Sequence, residues 1–183
     1  MQLEIVTLLV SRVRRYEGRP ADGPAPYEPA DELVDSVQVR AHRGLVGDRY
    51  FGTRFAYAAM TLIAAEKVEL LEAELGSGPF DSVLSRRNVV TRGLDVDALA
   101  RTTFTIDSGQ GPIRFRSITP ANPCAWLDTA WAPGAHRAMR GHAGIRCEPL
   151  DDGELRTGPA TITEVAALAP DELRRIVSAA PTT

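Results

Sequence analysis

Hydrophobic and polar positions change their period along this chain, and each change marks an element. Residues 3–10 are apolar and β-branched, which predicts a strand, and the Pro-, Gly- and Ala-rich stretch 14–29 predicts a long surface loop. Residues 34–40 alternate apolar and polar side chains with period two, as a half-buried strand requires, and run into a glycine-punctuated turn at 43–50. A short apolar run at 60–63 predicts another strand. Behind it Val68, Leu71 and Leu75 recur three and four apart until Gly76 stops them, the pattern of an amphipathic helix with its C-terminal glycine. Further strands are predicted at 86–92, at 102–107 and 113–119 joined as a hairpin, at 145–150 and at 160–165. Helical turns are predicted at 95–100 and through Trp126 and Leu127, and a terminal helix at 171–177. Strands outnumber helices about two to one without βαβ alternation, so the expected fold is mainly β: a closed or nearly closed β-barrel with a few accessory helices.

Composition narrows the class of function. The 183 residues suit a single domain, and 44% hydrophobic against 25% charged residues is a globular balance. With 21 Lys+Arg against 24 Asp+Glu the net charge is −3, so no basic excess advertises nucleic acid as a partner. No apolar run is long enough to cross a membrane and the N-terminus is acidic, so the expected location is the cytoplasm. Lys67 is the only lysine and lies in the predicted helix, which argues against a Schiff base and hence against PLP.

Nucleotide-loop, zincin, Cys-x-x-Cys and nucleophile-elbow signatures are absent. His42, His136, His142, Cys124 and Cys147 match no usual zinc spacing. Cys124 stands out by its neighbours. In Pro120-Ala121-Asn122-Pro123-Cys124 two prolines stiffen the backbone, so the thiol is presented from a loop that suits a nucleophile or metal ligand; the alternative is a small core hydrophobe. Cys147 fits that second role better, on one side of a strand with Ile145. Arg86-Arg87-Asn88, and Arg137, Arg140 and Arg146 around Gly141 and Gly144, bring guanidinium and backbone donors that suit a phosphorylated or oxyanionic ligand; singly, each could equally pair with a surface carboxylate.

The order of these motifs resembles the MOSC domain, the module found at the C-terminus of molybdenum cofactor sulfurases and in stand-alone bacterial proteins. The matching features are Gly44-Leu45-Val46-Gly47-Asp48-Arg49, Thr61-Leu62-Ile63 leading into a helix, and Arg86-Arg87-Asn88-Val89-Val90-Thr91-Arg92-Gly93. Pro123-Cys124, Arg140-Gly141-His142-Ala143-Gly144-Ile145-Arg146 and a closing hairpin at 152–158 complete them, spanning about residues 34–165 of one domain covering 1–183. Tyr50 stands where many relatives carry His, Pro159 departs from the usual Gly-Asp, and the 14–29 loop has no counterpart.

The resemblance implies a barrel that binds the molybdenum cofactor, with Cys124 as metal ligand or sulfur carrier. Arg86, Arg87, Asn88, Arg140, Gly141 and Arg146 would surround the cofactor, Arg87 and Arg140 holding its phosphate and Asn88 hydrogen-bonding to it or to substrate. Asp48 would fix the 44–50 turn. The implied activity is reduction of small N-hydroxylated or N-oxidised compounds through a Cys-ligated molybdenum centre. The alternatives are a persulfide carrier on Cys124 for cofactor sulfuration and a non-catalytic escort module. The missing desulfurase domain and iron–sulfur cysteines imply a partner, either a separate electron-donating reductase or a separate cysteine desulfurase.

Overall fold

The structure, a computed structural model, describes residues 1–23 and 31–179. The predicted loop therefore lies partly outside the described residues. Among those described, eleven strands and four helices are laid out as β1 (Gln2–Leu9), β2 (Leu33–Val34), β3 (Ser36–Arg40), β4 (Gly44–Leu45), β5 (Met60–Ala64), α1 (Ala65–Leu75), β6 (Val89–Arg92), β7 (Thr102–Asp107), β8 (Pro112–Pro120), α2 (Trp126–Ala130), α3 (Ala135–Ala138), β9 (Ile145–Pro149), β10 (Gly153–Arg156), β11 (Gly158–Ala167) and α4 (Pro170–Ala179). The order β11-β7-β8-β9-β5-β6-β1 closes on itself because β1 also pairs with β11, Gln2 opposite Thr161 and Ile5 opposite Gly158. This is a seven-strand barrel, antiparallel except for β5 beside β6. Closure leaves no long edge to aggregate.

Two cores explain why β5 reads as unbroken hydrophobicity. Leu62 and Val89 point into the barrel with Leu3, Ile5, Ile106, Phe104 and Phe115, whereas the adjacent Ile63 and Val90 face a second cluster made with Val68 and Leu71 of α1, Leu127 of α2 and Met139. A strand covered on both faces needs apolar residues at every position. Phe104 and Phe115, opposite each other on β7 and β8, stack with centroids 5.7 Å apart. Helix α1 ends as predicted, with Gly76 in the left-handed region and its N–H returned to Glu72.

Two expectations change. The 86–92 run is not all strand: Arg86, with φ at 59°, ends a 3-10 turn at Ser82–Ser85, and pairing begins only at Val89. The 152–158 segment is not a hairpin, because β10 joins β3 and β4 in a separate three-stranded sheet while β11 enters the barrel. Val37, Val39, Leu45 and Leu155 of that small sheet bury in the barrel core, and that burial draws β10 away from β11. Helix α3, one turn started by left-handed Gly134, has too few residues to show a period.

Candidate functional site

A cavity of about 460 Å³ gathers the residues that could carry chemistry. Its floor is built by Thr61 at the start of β5, Arg87 ahead of β6, Arg146 on β9, and Asn122 and Cys124 on the loop after β8. Its other walls come from the segment after β1, through Arg14, Arg15 and Tyr16, and from the stretch after β4, through Arg49, Tyr50, Phe55 and Tyr57. Pockets of a few hundred Å³ with apolar walls and a few convergent polar groups are the usual form of small-molecule sites.

Cys124 is exposed at this cavity and Cys147 is fully buried on β9, as the proline flanks and the strand alternation predict. Burial pushes the Cys147 thiol far above its ordinary range, and neighbouring Glu148 adds to the effect. Alkylation under native conditions is therefore expected to modify Cys124 and spare Cys147 until the protein unfolds, a difference peptide mass mapping reads directly.

Arg87 staples the cysteine loop. Its Nε donates to Ala143 O at 3.0 Å and its Nη2 to Asn122 O at 3.0 Å, so two neutral carbonyls hold the guanidinium and its remaining N–H groups are left over. Burial pushes Arg87 down to about 10 and the like charge of Arg146 acts the same way, while Cys124 and Tyr50 oppose them. It therefore stays a cation at neutral pH. Among the described residues neither Arg87 nor Arg146 has a carboxylate within ion-pair distance, whereas Arg49 has Asp48 and Arg86 has Glu32. Two adjacent cations facing a cavity without an anion constitute a ready binding site for one.

The remaining predicted site residues sort themselves by position. Arg86 borders the cavity, but its guanidinium is taken by Glu32, at 2.6 and 3.2 Å. Asn88 is no ligand contact: it is fully buried, its Oδ1 accepts from Thr61 N and Thr61 Oγ1, and its Nδ2 donates to Leu9 O and Asp48 Oδ2. Every hydrogen-bonding site of the amide is used, so Asn88 locks β1, β5 and the 44–50 turn together. Arg140 and Gly141 are exposed and do not line the cavity, so the phosphate role expected of Arg140 is not supported by its position. Asp48 fixes its turn as expected, accepting from Tyr50 N at 2.9 Å and Ser11 N at 3.2 Å. Lys67 sits outside the cavity, paired with Asp95 and Asp97. Of the histidines, His42 bonds Glu148, and among the described residues no group of three possible ligands could hold a metal by itself.

Sequence reasoning missed the aromatic walls and the post-β1 strap. Tyr16 stacks on Trp126 at 5.2 Å and donates to Leu84 O, Arg15 is drawn in by buried Glu32, and Tyr50 lies under both Arg49 and Arg14. The only signal was the density of Arg and Tyr in 14–16, within the predicted surface loop, and in 49–57, from the end of the predicted turn onward.

The fold is thus a closed seven-strand β-barrel that carries one exposed thiol in an arginine-lined cavity. The chain belongs to the MOSC domain family, whose model matches residues 38–161. Among solved structures it is similar to the YuaD protein from Bacillus subtilis, with a TM-score of 0.68 and 16% identity over 92% of this chain and 98% of that one. It is also similar to YiiM from Geobacillus stearothermophilus, at 0.56 and 19% over 96% and 83%, and to YiiM from Escherichia coli, at 0.59 and 16% over 100% and 80%. At such identities the likeness is one of fold. No curated protein matches the sequence. No helix among the described residues is long and apolar enough to cross a membrane.

Proposed function

We propose that the cavity binds the molybdenum cofactor and that the protein reduces small N-hydroxylated or N-oxidised compounds. The observation that carries this reading is the exposed Cys124 thiol in one cavity with Arg87 and Arg146, two cations without carboxylate partners among the described residues. The donor set suits the group: one soft thiolate for the metal and guanidinium groups for a phosphate. When bound, the cofactor would supply a two-electron redox centre able to accept oxygen from a substrate.

The chain's own residues do the rest. Cys124 ligates the metal from a loop stiffened by Pro120 and Pro123. Arg87 and Arg146 hold the phosphate, and Arg87 at the same time keeps that loop in place through Asn122 O. Tyr16, Tyr50, Phe55 and Tyr57 form the aromatic part of the cavity's lining. Two cysteines cannot ligate an iron–sulfur cluster by four thiolates, and this reading assigns electron supply to a separate reductase.

Protein purified from a host able to make the cofactor is expected to carry equimolar pterin and molybdenum, read by pterin fluorescence and metal analysis. Cys124→Ser is expected to lose N–O reduction. A wild-type protein free of pterin from such a host, or a Cys124→Ser variant with full turnover, overturns the proposal. The exposure of Cys124 also supports a second reading, a persulfide carrier supplied by a separate cysteine desulfurase. A labile mass gain of one sulfur on Cys124 after incubation with such an enzyme would favour that reading.

A further inference from the structure

Six arginines line the cavity and no carboxylate among the described residues does. The compensating anions lie behind its walls: Glu32 takes Arg15 and Arg86, and Asp48 takes Arg49. Arg87, ahead of β6, and Arg146, on β9, line the cavity with Cys124, where a cofactor phosphate would consume their charge. That leaves Arg14, which reaches the same cavity from the strap. Its one ion pair among the described residues is a 3.8 Å contact with Glu17, and both side chains are more than half exposed, an arrangement of little strength. Its guanidinium stands 5.3 Å from the centre of the Tyr50 ring, and Phe55 and Tyr57, edge to face at 5.9 Å, line the same cavity.

From this placement we infer the substrate class: a planar aromatic or heteroaromatic compound that carries a carboxylate, its ring against Tyr50, Phe55 and Tyr57 and its anion on Arg14. The inference rests on the reading of the cavity as a reductase site but concerns a wall the cofactor would not use. The aromatic side chains reward a flat ring, since offset or edge contacts between rings add to the area they bury. The guanidinium rewards a carboxylate because a charge-assisted, two-pronged hydrogen bond is stronger than a neutral one and fits its planar fork. A neutral base would leave Arg14 with only its exposed contact to Glu17 and the face of Tyr50.

The test needs no cofactor. Metal-free protein is titrated calorimetrically with benzoate and with its neutral near-isostere benzamide, inorganic phosphate being present to occupy Arg87 and Arg146. Benzoate is expected to bind about tenfold tighter or more. Arg14→Gln is expected to erase that preference, so that the two probes bind with similar affinity, and Arg146→Gln is expected to keep it. Equal affinity for the two probes, or a preference that survives Arg14→Gln and disappears in Arg146→Gln, overturns the inference. Because the readout is binding to metal-free protein, its failure is separable from a failure to find pterin and molybdenum in the purified protein.

Discussion

Gly144→Ala is expected to cost about 4–5 kcal/mol or more, at the extreme of single substitutions. Gly144 precedes β9 with φ at +83°, and a Cβ there would lie 1.8 Å from Leu62 O, 2.9 Å from Leu62 C and 3.1 Å from Ile63 Cα. Those atoms are the backbone of β5, buried on both faces, so nothing flexible can yield. The clash can be relieved only by moving β9 from β5, which would break the pairing of Leu62 with Ile145, and the bond from Ala121 N to Gly144 O would go with it. Gly141 provides the control. It has the same φ of +83°, but a Cβ there would meet nothing within 4 Å, so Gly141→Ala carries only the backbone strain, about 1–2 kcal/mol. In thermal melts the first variant is expected to fall by about 10 °C or more, or to fail to accumulate as folded protein, and the second by a few degrees. Equal losses would mean that conformation alone, and not the close approach of two strands, requires glycine at 144.

The same pair of glycines shows which features could be read from residues and which could not. Gly141 and Gly144 sit three apart in one run beside Arg140 and Arg146, and nothing local separates them. Only the packing of β9 on β5 makes one a tight junction and turns Arg146 inward while Arg140 stays in solvent. Local signals worked where a single element decides the matter. The alternation at 34–40, the Gly76 stop and the proline-flanked Cys124 against strand-borne Cys147 all depend on a few neighbouring side chains. Barrel closure depends on β1 meeting β11, about 160 residues away, and a period cannot report a partner. Asn88 has the same origin. A polar residue beside two arginines reads as a ligand group, yet four partners from three distant segments convert it into a buried lock. The strap was invisible for a further reason: its order comes from Glu32, one carboxylate in a loop-like stretch whose importance arises only when Arg15 and Arg86 converge on it.

Glu32→Gln is therefore expected to destabilise the protein by about 3–5 kcal/mol at neutral pH, because it removes the buried carboxylate that two guanidinium groups share. The Glu32 side chain is only 7% exposed. Arg15 reaches it through Nε and Nη2 at 3.2 Å, Arg86 through Nη1 at 2.6 Å, and the Ser11 hydroxyl donates to it as well. Burial alone would raise the carboxyl's pKa, but the hydrogen bonds from Arg86, Ser11 and Arg15 outweigh it and hold the group at about 2, against an ordinary 4.5. The folded state thus favours the charged form. Its contribution is complete above pH 4.5 and drains away as the pH falls from there toward 2, where folded and unfolded chains both bind the proton. Denaturation curves of wild type and Glu32→Gln are expected to lie far apart at neutral pH and to converge across that window. Asp151 offers the contrast: its hydrogen bond from Arg114 also holds it at about 2, but Arg114 is 61% exposed and Asp151 33%, so solvent screens the pair and Asp151→Asn is expected to cost about 1 kcal/mol at most. A gap for Glu32→Gln that persists unchanged down to the acid end of that window would show that the amide fails for reasons of shape, not charge. Convergence would establish that a buried carboxylate ties the strap, and with it Tyr16 and Arg14, to the wall of the cavity.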